Sequence, residues 1–221
     1  MHTRSASPLV SVRNAHAPLW ARIGFWVCTA IAVAVAARRI LALTFPPKSA
    51  PPQLAALDTF FSSHAALTLA HIIPALAFVL VAPFVVFRPS TRAWAREFIY
   101  PLGAVVGITA YAMSVHAVGG WVERSAVLFF NSLFLFSLFS AYRYKRQNDR
   151  IRERPWLLRA IVVLLGIATT RPVMGVFFAT SRLTHLTPHQ FFGIAFWIGF
   201  SINVLVFEIW VRSQGRLSQP G

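Results

Sequence analysis

Residues Tyr142 to Pro172 read YRYKRQNDRIRERPWLLRAIVVLLGIATTRP. The stretch begins as a dense run of basic residues, reaches Pro155 and Trp156, and then becomes apolar up to Arg171. A run of arginines followed by a long apolar segment is the signature of a cytoplasmic loop leading into a transmembrane helix, because positive charge stays on the cytoplasmic side. An arginine deep in the apolar segment costs about 2.5–3.5 kcal/mol on insertion scales, so it needs a protein partner, water or a ligand. This one stretch therefore predicts an orientation and a candidate functional interior.

The rest of the chain repeats the pattern. Hydrophobic residues make up 57% of the 221 positions and charged ones 12%, a composition that excludes a soluble domain with a solvated surface. The expected fold class is all-α: a polytopic membrane helix bundle of about six transmembrane helices. Apolar runs are expected at residues 19–37, 59–87, 98–118, 122–141, 156–180 and 190–211. They make residues 19–212 one membrane domain, with 1–18 a disordered cytoplasmic N-tail and 213–221 a short cytoplasmic C-tail. The first run reads as a retained signal anchor, since Arg38 and Arg39 follow its small residues where a cleavage site would lie. Phe45 to Asp58 is rich in proline and reads as a loop.

About 15 of the 21 Lys and Arg residues fall on the side of the two tails, leaving Arg38, Arg39, Lys48, Arg124 and Arg182 opposite and Arg171 within the membrane. Both termini are thus expected in the cytoplasm. The bias toward Arg over Lys is that of a G+C-rich bacterial coding sequence and points to a bacterial inner membrane. The formal charge of +15 sits in loops and tails, which predicts contact with anionic lipid at the cytoplasmic face and not with nucleic acid. Cys28 is the only cysteine, so the chain can form no internal disulfide and no cysteine-based metal or iron–sulfur site.

Counting residues at about 1.5 Å each places Arg171 about 22 Å from the cytoplasmic face, and His71, Tyr111 and Asn131 come to the same depth on three other helices. Two readings of this layer are open. It is a ligand-binding pocket opening outward, with Arg171 as an anion or carbonyl anchor, or it is a hydrogen-bond network that pins the helices together. Nearer the cytoplasm, Arg159 and Glu208 come to one depth and read as a structural ion pair. His64 and His116 lie at similar depth near the outer surface, which makes them the candidate axial ligands if the protein is a haem b redox protein. Otherwise no cofactor or metal is expected, and no HExxH, GxSxG, Walker or dinucleotide motif is present. Gly103 and Gly107 form a small-xxx-small pair that serves either close packing inside the monomer or a dimer seam.

The order of these features resembles an uncharacterised bacterial membrane family, domain of unknown function 2306. The resemblance covers about residues 60 to 212 and rests on His71-Ile72, a short basic loop before a glycine-containing helix, the run Asp149 to Trp156 with Arg159, then Arg171, Trp197, Asn203 and Glu208. Such proteins carry a His-Arg pair in each cytoplasmic loop, whereas here the first loop has only arginines and the second reads Glu153-Arg154-Pro155-Trp156. The resemblance implies a membrane bundle and no established reaction. Together these readings point to a non-enzymatic small-ligand binder or transporter-like bundle.

Overall fold

The computed structural model describes residues 18–45, 58–59, 61–87 and 93–217. Most of the N-tail, the Pro-rich loop and the short basic loop at Arg88 to Arg92 lie outside the described residues. Six long helices follow in order: α1 (Leu19–Thr44), α2 (Ala65–Phe87), α3 (Ala93–Ser114), α4 (Gly120–Arg146), α5 (Arg150–Thr184) and α6 (Pro188–Leu217). All but α3 are long and apolar enough to cross a membrane, and the bundle is that of a multi-pass membrane protein.

Side-chain pairs give the register of neighbouring helices. Along α2 and α3 the partners are Phe84 with Trp94, His71 with Thr109, and His64 with His116, so the two helices run antiparallel over their whole length. α3 carries Arg96, Glu97, Tyr100 and Pro101 near its start, which lowers its apolarity, yet it travels the full height of a helix that can span. Lys145 with Glu97 and Ser132 with Tyr111 set α4 antiparallel to α3 in the same way. α5 and α6 pair through Arg159 with Glu208 and Thr169 with Asn203. Short connections between antiparallel neighbours are what such a bundle requires.

The hub is α5, which packs on α1, α2, α4 and α6. Its inward face is small or branched: Ala160, Ile161, Val163, Leu165 and Ala168 are buried. Its closest approach is to α6, where a Cβ on Gly199 would lie 2.7 Å from the Thr170 backbone and one on Gly166 would lie 2.6 Å from the Phe200 ring. These two positions tolerate no side chain, and they lock the level at which Arg171 stands. A Cβ on Gly103 would collide with Leu138 of α4 and one on Gly107 with Leu135, so the small pair serves packing within the monomer. The outward faces carry Phe98, Ile108, Phe136, Phe139 and Ile209 exposed, as a lipid-facing surface demands.

The stretch expected as a long basic loop is mostly helix. α4 continues through Tyr142 to Arg146, and only Gln147 to Asp149 intervene before α5. Asn148 takes a left-handed φ of 53°, and the N–H of Asp149 reaches Tyr144 O while that of Asn148 reaches Lys145 O, a Schellman ending. The Asp149 side chain then accepts the Arg152 N–H at 3.1 Å and caps α5. One asparagine and one aspartate thus turn a loop into two helix ends. At the other boundaries, α1 runs on through Arg38 and Arg39 to Thr44, and α6 runs to Leu217, because nothing in those sequences breaks a helix earlier. α5 is likewise continuous through Pro155 and Pro172.

Candidate functional site

The helix registers put His71, Tyr111 and Asn131 at one level, without bonding to one another among the described residues, while Phe200 meets both Phe130 and Gly166, which places Arg171 nearer the start of α4. His71 Nδ1 meets Thr109 Oγ1 at 3.0 Å. Tyr111 OH meets Ser132 Oγ at 2.7 Å, and Asn131 Nδ2 donates to Gly107 O at 2.9 Å. Each of these three joins two adjacent helices, α2 to α3 or α3 to α4, and each satisfies a polar group that lipid would leave unpaired.

Arg171 differs from the other three. Its Nη1 approaches only the Met174 sulfur, at 3.8 Å, and its buried Nε has no hydrogen-bond partner. A guanidinium offers five donors and a thioether is a weak acceptor, so the group is chemically unfinished. The charges that act on it are Arg39 and Arg38 of α1 and Glu123 of α4.

Glu123 escaped the sequence reading, which gave it no role. It lies in the first turn of α4 and is 9% exposed. Glycines bring it there: a Cβ on Gly193 would sit 2.6 Å from the Glu123 nitrogen, and one on Gly119 would sit 2.8 Å from the Gly193 nitrogen. The start of α4 therefore presses backbone to backbone on α6. Glu123 Oε2 accepts the Gly119 N–H at 2.5 Å, and the basic residues around the carboxylate are Arg171 and His189. Among the described residues Glu123 is in no ion pair, whereas Asp58, Glu97, Asp149, Glu153 and Glu208 all have one.

At the opposite end the carboxylates of Glu153 and Glu208 are both in ion pairs. Arg159 and Glu208 form a two-point pair, Nε to Oε1 at 2.5 Å and Nη2 to Oε2 at 3.1 Å, with the guanidinium over Trp156. Glu153, expected in a loop, is 3% exposed inside the first turns of α5. It takes both the Arg96 guanidinium and the Tyr100 hydroxyl, the latter at 2.6 Å. Glu97, also expected in a loop, lies just past the first turn of α3 and pairs with Lys145.

The rings of His64 and His116 meet, with centroids 4.1 Å apart and planes tilted by 35°. Axial imidazoles bind iron end-on from opposite sides at about 2 Å each, which sets their centroids about 6 Å apart with the porphyrin between them. Rings stacked this closely leave no space for that plane. As placed, the pair does not fit a haem.

Deeper in the membrane, Thr169 donates to Asn203 Oδ1 at 2.6 Å, and Asn203 donates to Val162 O at 3.3 Å. Cys28 Sγ lies 3.8 Å from the Thr169 hydroxyl, so this chain of polar contacts ties α1, α5 and α6 together below Arg171. No protein-family model, curated protein or solved structure matches the chain.

Proposed function

We propose that the protein is a non-enzymatic small-ligand binder or transporter-like bundle of a bacterial inner membrane, with both termini cytoplasmic and Arg171 anchoring an anionic or carbonyl ligand from the outer half. The observation that carries this reading is the buried Arg171 Nε without an acceptor. Arginine is expensive in a membrane interior and is kept there by a partner. The other acid–base partners are already engaged, and what acts on Arg171 besides Glu123 is two further arginines, so an incoming anion satisfies the guanidinium and lowers the local positive charge. His71, Tyr111 and Asn131 hold α2, α3 and α4 in register.

Orientation follows from the arginine asymmetry. Arg143, Arg146, Arg150 and Arg154 are exposed at the Arg-rich end and form no ion pair among the described residues, which supports contact with anionic lipid on the cytoplasmic face. The order of residues from His71 to Glu208 supports placing the chain as a divergent member of the domain of unknown function 2306 family.

The test is binding of acetate and of inorganic phosphate to purified protein in mild detergent, followed by thermal shift. Wild type is expected to be stabilised by at least one of the two, Arg171→Lys less so because it keeps the charge and loses the planar fork, and Arg171→Leu not at all. Equal stabilisation of all three proteins contradicts the proposal.

A further inference from the structure

We infer that Glu123 is the second pole of the Arg171 site, and that the ligand is a small oxyanion bearing a hydrogen-bond donor beside its charge. The inference rests on the Arg171 reading and adds the chemistry of the ligand's other end. Arg171 approaches Met174, Met174 and Phe192 share one buried cluster, and Phe192 lies against Gly119, whose N–H Glu123 accepts; the two opposite charges thus stand in one neighbourhood, yet they form no ion pair. In a low-dielectric interior two such groups close on each other unless something holds them apart. Here both are held. Glu123 is fixed by the Gly119 N–H and by the tight seat of Gly119 and Gly193, and Arg171 leans on Met174 of its own helix.

A simple anion satisfies the guanidinium but meets a buried carboxylate of like charge. A ligand with an acceptor at one end and an O–H or N–H at the other satisfies both. Hydrogen phosphate, bicarbonate, glycolate and the glycine zwitterion have that pattern. Sulfate and acetate lack the donor. The remaining charges around the pair are Arg38 and Arg39 on α1, already shared with Asp58. They leave the surroundings net positive and so favour a ligand whose total charge is zero or negative. The same pattern occurs in a phosphatidylethanolamine headgroup, which can reach an outer-leaflet site from the bilayer.

The test compares matched pairs by equilibrium binding to the full chain: hydrogen phosphate against sulfate, and glycolate or glycine against acetate. Wild type is expected to prefer the donor-bearing member by about tenfold or more, the worth of a hydrogen bond to a charged group. Glu123→Gln keeps the acceptor for the Gly119 N–H and removes the charge, so it is expected to bind the anions while losing most of the preference. Arg171→Leu is expected to lose both. Arg171-dependent binding without discrimination, or discrimination unchanged in Glu123→Gln, overturns the role of Glu123 and leaves the Arg171 reading standing. Absence of any Arg171-dependent binding overturns both. Repeating the titration in phosphatidylethanolamine and phosphatidylcholine nanodiscs separates the sources. Weaker binding of the soluble ligand in the former assigns the site to the headgroup, and equal binding assigns it to the free oxyanion.

Discussion

The two ends of the bundle handle buried charge in opposite ways. At the Arg-rich end buried Glu153 takes Arg96 and Tyr100, and part-buried Arg159 takes Glu208, so the helices supply the partners of these charges themselves. At the other end Asp58 binds Arg38 and Arg39, but Arg171 and Glu123 stay unpaired. Buried pairs that are complete hold a fold together, and removing one member costs far more than the pair contributes. Charges left incomplete in the same molecule contribute little to the fold and point to a use.

The largest expected effect concerns which end faces the cytoplasm. Alkaline phosphatase joined after Gly221 is expected to be inactive, and joined at the Gly119-Gly120 turn it is expected to be active. The reverse pattern breaks the orientation. Two inactive fusions mean that one of α4, α5 and α6, which separate the two sites, does not cross.

Stability separates the ends next. Glu153→Ala strands a guanidinium and a phenol in a site that is 3% exposed, so a loss of about 3–5 kcal/mol is expected in detergent unfolding. A change within error breaks the picture of a self-completed end. A smaller effect is expected where the seat of Glu123 is disturbed. Gly193→Ala puts a methyl 2.6 Å from backbone nitrogen, which costs about 1–3 kcal/mol by overpacking. Gly24→Ala, with nothing within 4 Å, is expected to be neutral or to gain up to about 1 kcal/mol from helix propensity. Similar behaviour of the two variants removes the argument that glycines place Glu123.

The apolar runs and the arginine distribution made the all-helical membrane bundle legible, as did the depth match of Arg159 with Glu208. What stayed hidden was decided by turns and by close contacts. Asn148 and Asp149 end one helix and start the next in three residues, and no hydropathy window sees that. Glu153 and Glu97 therefore read as loop residues. Glu123 was missed for another reason: its burial depends on Gly119 meeting Gly193, far apart in sequence and visible only once α4 and α6 are side by side. Equal depth, which singled out His71, Tyr111, Asn131 and Arg171, carries no information about which helices are neighbours. Three of the four bond across the α2–α3 and α3–α4 seams, and the fourth stands on α5.

The central claim is that Arg171 awaits a ligand and does not brace the fold. Its most direct test is the unfolding of ligand-free Arg171→Leu beside wild type and Glu153→Ala in the same detergent. The account predicts that Arg171→Leu melts at the wild-type temperature or above it, because a costly charge outside any ion pair is removed and Glu123 keeps its hydrogen bond from Gly119. A fall as large as that of Glu153→Ala would contradict it.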